Sequence, residues 1–325
     1  MIITVTLNAA IDKTLAVPNF RLGRRHRAVE QSSRAGGKGV NVARALKSLG
    51  QPVIATGVAG GPTGTRIIEQ LTEEAILNDF VRIREESRTS TAVVDPTSGD
   101  QTEINEHGPE VSEAELDLFR DKLLYLAKGA GVCVFAGSLP RGADPALYAD
   151  LVQEMKKLGV TTVLDSEGEP LRLGTRAEPT VVTPNELEAE GLVGHEFADD
   201  DDRVVGVREI VGLGAREAVM TQPSGCLALI EDRDAVGVRR LFRVSLEPVD
   251  TPVSGVGSGD AFLAGYVAAR YGGSPPEEGL RFAVACGAES TQHFGAGVLD
   301  PKAIERLSDD VEIEALAEPV LEPRP

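Results

Sequence analysis

The run Val253-Ser254-Gly255-Val256-Gly257-Ser258-Gly259-Asp260-Ala261-Phe262 sets an aspartate directly behind alternating glycines, and the apolar and small residues of Leu263 to Ala269 follow. It reads as a glycine-rich loop opening a helix. Glycines let backbone N–H groups converge with no Cβ in the way, and a helix N-terminus adds partial positive charge, so Gly257, Ser258 and Gly259 would form an anion hole. Negative charge developing on a transferred phosphoryl group would be stabilised there. Asp260, in the first helical turn, would accept the proton of an attacking hydroxyl. The spacing is GxGxG with aspartate next, so it is not the GxGxxG dinucleotide fingerprint, and no GxxxxGK[ST] loop occurs in the chain. Taken alone, a plain glycine turn capped by Asp260 explains the local pattern as well.

A second glycine turn enters a helix at Ala35-Gly36-Gly37-Lys38-Gly39-Val40-Asn41-Val42-Ala43-Arg44. Asn41 offers a donor and an acceptor, as a sugar hydroxyl does, and Asp12 could accept from another hydroxyl. A third constellation is Thr183-Pro184-Asn185-Glu186-Leu187-Glu188, in which Asn185 and Glu188 share a helix face. Oxygen ligands suit Mg²⁺, which keeps several waters, so Glu188 would hold it largely through water while Asn185 faces phosphate oxygens. An N-cap asparagine with a glutamate three residues on explains the same spacing.

These residues need a scaffold, and the chain supplies one in alternating segments. Ile2 to Leu7, Val53 to Val58, Val132 to Phe135, Thr162 to Asp165, Thr180 to Thr183 and Ala218 to Thr221 read as strands, with amphipathic stretches between them. Ser112 with Glu115 forms a capping box, and Asp144-Pro145 opens another helix. The alternation implies a largely parallel sheet covered on both faces, with ligands at the carboxyl ends of its strands. Two segments break the rhythm, roughly Thr14 to Ala35 and Ser87 to Glu106, and read as extended strands projecting from the core as a lid that excludes water. The expected division is a core of 1–13, 36–86 and 107–310, a lid of 14–35 and 87–106, and a frayed tail of 311–325.

Composition narrows the function classes. A formal charge of −18 over 325 residues argues against a nucleic-acid footprint. Any phosphate site must concentrate its cations locally, and the cluster Arg21, Arg24, Arg25 and Arg27 offers itself, or is a solvated basic edge. The acidic run Asp199 to Asp202 reads as a solvated loop. Cys133, Cys226 and Cys286 lie far apart without CxxC spacing, so neither a disulfide framework nor a zinc site is expected. The start Met1-Ile2-Ile3-Thr4-Val5 carries no export or membrane signal, and a cytoplasmic location fits best.

Taken together and in this order, the motifs resemble the ribokinase-like pfkB carbohydrate kinases, from about Ile3 to Leu307. Thr6-Leu7-Asn8-Ala9-Ala10-Ile11-Asp12, Gly36-Gly37-Lys38-Gly39-Val40-Asn41, Thr102-Glu103-Ile104-Asn105, Gly137-Ser138-Leu139-Pro140 and Asn185 to Glu188 look like the branch acting on phosphosugars, which includes 1-phosphofructokinase and tagatose-6-phosphate kinase. The resemblance implies a three-layer α/β/α sandwich with a mostly parallel central sheet and a small β-sheet lid that often makes a homodimer interface. It implies ATP with Mg²⁺, Asp260 as base, Gly257 to Gly259 as anion hole, and a ketohexose phosphate held by Asp12, Gly36, Gly37, Lys38, Asn41, Asn105 and Ser138. A dianionic phosphate needs more than one cationic donor, and Arg27 and Arg88 are the candidates. Arg88-Thr89-Ser90 looks like the family's Arg-Thr-Asn strand with serine replacing asparagine, and His26 likewise stands where the family has asparagine. Met220-Thr221-Gln222-Pro223-Ser224-Gly225 departs from the family's nucleotide stretch, so nucleotide contact carries over to Thr221, Ser224 and Gly225 beside Asn185, Gly257 and Ser258. Fructose 1-phosphate is the expected acceptor, with tagatose 6-phosphate and fructose 6-phosphate as alternatives. A sugar-phosphate-binding regulatory protein without turnover is the competing class.

Overall fold

The computed structural model of the chain describes residues 1–232, 238–247, 253–293 and 295–316. Its elements run β1 (Ile2–Thr6), β2 (Ala10–Ala16), β3 (Glu30–Gly36), α1 (Lys38–Ser48), β4 (Val53–Gly60), α2 (Gly61–Glu73), β5 (Leu77–Ile83), β6 (Arg88–Val94), β7 (Gln101–Asn105) and α3 (Glu113–Ala127). They continue through β8 (Val132–Ala136), α4 (Leu147–Lys157), β9 (Thr161–Asp165), α5 (Gly168–Arg176), β10 (Val181–Val182), α6 (Glu186–Val193) and α7 (Asp200–Gly212). The last are β11 (Glu217–Gln222), β12 (Gly225–Glu231), β13 (Arg239–Ser245), α8 (Ser258–Gly272), α9 (Pro276–Ser290), α10 (Pro301–Asp310) and β14 (Glu312–Leu316).

Strands buried on both faces need no polar alternation, and β1 and β8 are buried at every position. Along β8, Val132, Val134 and Ala136 join the core beneath α1, α2, α8, α9 and α10, while Cys133 and Phe135 join the one beneath α3 to α7. Three layers result. The large sheet has the order β14-β13-β12-β11-β10-β9-β8-β1-β4-β5. It is parallel from β11 to β5 and antiparallel from β11 to β14. Because β1 lies between β4 and β8, the strand order reverses there, and a crevice opens beyond the carboxyl ends of β1 and β8.

The lid is a separate sheet of order β3-β2-β6-β7. Its β2 begins at Ala10, so Asp12 rides on the lid and not on the core segment 1–13 to which the sequence boundary assigned it. The expected frayed tail also needs correction over its first part. Glu312–Leu316 pairs antiparallel with β13, its Val311 approach buried, and residues 317–325 lie outside the described residues. Helix α9 ends at Ser290, and Phe294 lies outside the described residues.

Helix α8 carries the glycine loop and is buried from Asp260 to Ala269. An all-round apolar helix of this kind must sit inside the core. Gly265 lets it approach α9 closely, since a Cβ there would lie 2.8 Å from Cys286 Sγ. That contact fixes how far the Asp260 end of the helix reaches toward the crevice. Among the described residues no helix is long and apolar enough to cross a membrane.

Candidate active site

Gly257 is the N-cap of α8, at φ 80° and ψ 9°. An L side chain is strained there, and its Cβ would meet Ala296 Cβ at 2.4 Å. The turn therefore requires glycine, and it leaves the first-turn N–H groups of α8 without intrahelical acceptors. Asp260 sits in that turn, 7% exposed. Burial pushes its carboxyl up to about 7, with Asp165 and Asp12 adding to the rise and the Lys38 charge and the Asn41 hydrogen bond opposing it. A carboxylate poised there is ionised often enough, and basic enough, to take a hydroxyl proton at neutral pH.

The second glycine turn is built on the same logic. Gly37 caps α1 at φ 96°, and its N–H donates to Asp12 Oδ2 at 3.4 Å. A Cβ on Gly36 would fall 1.9 Å from that same oxygen, so Gly36 holds open the space in which Asp12 stands. Burial raises the Asp12 carboxyl, against the Gly37 N–H, the Asn41 amide and the Arg88 charge. Asn41 Nδ2 donates to Asp260 Oδ2 at 2.9 Å. Lys38 Nζ lies 2.6 Å from Asp165 Oδ1 and 3.6 Å from Glu188 Oε1. Burial works against its ammonium form, yet these carboxylates outweigh it and hold Lys38 above the ordinary lysine range.

At the third constellation the two readings of the spacing coincide in part. Asn185 N–H donates to Glu188 Oε2 at 2.8 Å, and Glu188 N–H to Asn185 Oδ1 at 2.9 Å, a complete capping box. Glu188 Oε1 still faces the cavity beside Lys38. Among the described residues no group of three or more His, Cys, Asp or Glu could enclose a metal. The donors present, Glu188 and Glu167 with their carboxylate oxygens, fit a hard cation that keeps most of its waters, as Mg²⁺ does.

One cavity of about 620 Å³ collects Asp12, Gly37, Lys38, Asn41, Arg88, Asn105, Ser138, Asn185, Glu188 and Gly257 to Asp260. A neighbouring cavity of about 750 Å³ collects Thr221, Ser224 and Gly225 with the apolar Phe262, Val284 and Ala288. Asn185, Ser258 and Gly259 line both, so a group crossing from one cavity to the other passes over the first turn of α8. Gly36 stands behind Asp12 and does not line the cavity. Arg27 is not brought there at all: it lies exposed in the connection between β2 and β3, so no clamp of Arg27 with Arg88 forms within one chain.

Sequence reasoning gave no role to Asp165, Ser166, Glu167, Thr6, Lys13 or Glu103, although Thr6 and Glu103 lie within motifs that resemble the family's. Asp165-Ser166 could have been flagged as a polar pair at the carboxyl end of a parallel strand. Lys13 carries no such signal, since it reaches the cavity only because β2 lies beside β6 in the lid. Asn8 holds the site from below: its Nδ2 donates to Ser138 Oγ at 3.0 Å, and its carbonyl accepts from Arg88 Nε at 3.3 Å.

The family model described as pfkB family carbohydrate kinase matches residues 4–303. The tagatose-6-phosphate kinase of Staphylococcus epidermidis is 32% identical over 322 residues, covering 96% of this chain and 99% of that protein. The 1-phosphofructokinase of Borreliella burgdorferi is 31% identical, covering 88% and 90%. The crystal structure of phosphofructokinase-2 from Escherichia coli in complex with substrates and products superposes with a TM-score of 0.86 at 28% identity, covering 95% of this chain and 98% of that one.

Proposed function

Since the chain belongs to the pfkB family of carbohydrate kinases, phosphotransferases with an alcohol acceptor, we propose that it moves the γ-phosphoryl group of ATP onto a free hydroxyl of a ketohexose phosphate. The observation that carries this reading is the placement of Asp260. It stands buried at the first turn of α8, between a cavity that holds the charged side chains of Asp12 and Arg88 and a mainly apolar cavity on the far side of the same turn.

In the proposed reaction the sugar phosphate lies under the lid, its phosphate against Arg88 with Lys13 close by and its hydroxyls against Asp12, Asn105 and Ser138. Asp260 takes the proton of the attacking hydroxyl as the in-line transfer proceeds. The first-turn amides of Gly257 to Gly259 stabilise the charge on the transferring group. The nucleotide occupies the second cavity, its base along Phe262, Val284 and Ala288 and its polar edge near Thr221, Ser224 and Gly225. Glu188 would hold Mg²⁺ largely through water, and the ion would supply neutralisation of phosphate charge there. The lid exposes Ile104 on β7 and Leu22 and Val29 in the connection between β2 and β3, and a homodimer through this lid is the assembly that would cover them.

Fructose 1-phosphate is the favoured acceptor and tagatose 6-phosphate the second, relatives of both names being similarly close. ADP release with Mg²⁺-ATP should be followed for fructose 1-phosphate, tagatose 6-phosphate, fructose 6-phosphate and unphosphorylated fructose. Turnover on one phosphosugar well above fructose supports the proposal. Binding of a phosphosugar with no ADP release replaces it with the regulatory reading.

A further inference from the structure

The hydrogen bond from Asn41 to Asp260 depends on which way the Asn41 amide is turned, and something outside the cavity decides that. Arg44, one turn further along α1 and 7% exposed, donates from Nη1 to Asn41 Oδ1 at 3.1 Å. A guanidinium only donates, so the oxygen of the amide must face Arg44 and its NH₂ must face Asp260. Arg44 is itself held on three sides. Its Nε and Nη2 fork onto Glu74 at 2.6 and 3.2 Å, Nη2 also donates to the Ala35 carbonyl at 2.6 Å, and a Cβ on Gly297 would fall 3.0 Å from Arg44 Cβ. Glu74 follows the last residue of α2 and reaches solvent.

From this chain of contacts we infer that Arg44 is a positioning residue for the phosphoryl transfer, locking the Asn41 amide so that its NH₂ faces Asp260, with Glu74 as its anchor. The inference rests on the reading of Asp260 as the base. Without Arg44 the amide can turn over and present Oδ1 to the carboxylate, which disfavours the ionised form. The groups facing Asp260 otherwise are Lys38 from α1, Asp165 from the end of β9 and Asp12 from β2, and none of them contacts Arg44 directly through a hydrogen bond. A direct charge effect of Arg44 does not need Asn41, whereas the positioning effect does.

The test is a double-mutant cycle of Arg44→Gln and Asn41→Ala, read as kcat and as kcat/KM against pH, with Tm recorded for each protein. In the native background Arg44→Gln should lower kcat roughly tenfold or more and move the acid limb of kcat/KM up by about one pH unit. In the Asn41→Ala background the same change should alter kcat by less than about twofold, though its cost in Tm persists. Equal losses in both backgrounds, or a lowered Tm with the acid limb unmoved, overturn the inference. Glu74→Gln, at a partly exposed site away from the cavity, serves if Arg44→Gln does not fold. A smaller shift of the limb in the same direction supports the inference, and an unmoved limb overturns it. An active Asp260→Asn would instead remove the underlying reading of the base, which separates the two failures.

Discussion

Asn41 and Asp260, 219 residues apart in sequence, are joined by a 2.9 Å hydrogen bond between the first turns of α1 and α8. The two glycine turns thereby meet in one site: the turn at Gly37 presents Asn41 beside Asp12, and the turn at Gly257 presents Asp260.

The pH dependence of turnover follows from the surroundings of Asp260. Its carboxyl is raised to about 7, chiefly by burial, and the proposed base acts ionised, so kcat/KM should rise with pH through roughly that value. Lys38→Met removes a charge that favours the ionised form, so the limb should move to higher pH. A limb that stays in place in this variant would show that Lys38 does not act on the base.

The same shift bears on stability with the opposite sign. An aspartate whose folded pKa lies above its ordinary 3.8 contributes stability that is full below that value and lost as pH rises to about 7. Asp260→Asn removes this loss. Its Tm should exceed that of the native protein by roughly 3 °C or more at pH 8, and the difference should shrink toward pH 5. Thermal melts across that range check it, and equal Tm values at pH 8 would contradict it.

Glycine substitutions should separate the two turns. Gly36→Ala pushes a methyl group into Asp12 and is expected to raise KM for the sugar phosphate about tenfold or more, with a smaller effect on KM for ATP. Gly257→Ala forces a left-handed turn and a collision with Ala296, so kcat should fall by about 10²-fold as the anion-binding amides shift. Steady-state kinetics with each substrate varied in turn distinguish these patterns.

Away from the site, Glu217 is buried at 3% exposure and takes two hydrogen bonds from Arg270, at 2.5 and 3.2 Å, and one from Tyr266 at 3.1 Å. Glu217→Ala leaves the Arg270 charge largely buried with no carboxylate opposite it, only the Tyr266 hydroxyl at 3.2 Å, which should cost about 3 to 5 kcal/mol in urea unfolding. The same three residues tie β11 to α8, so the variant also tests how firmly the helix that carries Asp260 is anchored.

The inner parallel strands were legible because runs such as Val132-Cys133-Val134-Phe135 permit no exposed face, whereas the parallel edge strand Leu77–Ile83, half exposed, was not read. Nor was the antiparallel extension. Arg239–Ser245, between β12 and β14, and the edge strand Glu312–Leu316 both mix charged with apolar residues, and such patterns resemble surface segments until the partner strands are known. Within the site, Asp260, Gly257 and Asn41 stood out because glycine turns leave a local signature. Asp165, Lys13 and Arg44 did not, since each acquires its partner only from tertiary topology: Lys38 across 127 residues for Asp165, the lid sheet for Lys13, and Glu74 at the end of α2 for Arg44. Arg27 shows the converse. A basic cluster near a glycine turn invited a role in phosphate binding, but the chain carries it outward on an exposed connection.

The central claim is that Asp260 removes the proton of the acceptor hydroxyl, and the most direct measurement is the single-turnover rate of phosphosugar formation by the native protein and by Asp260→Asn, at saturating Mg²⁺-ATP and sugar phosphate. Loss of a general base predicts a rate lower by roughly 10² to 10⁴ with sugar-phosphate binding retained. A variant that transfers phosphate within a few fold of the native rate would contradict the account.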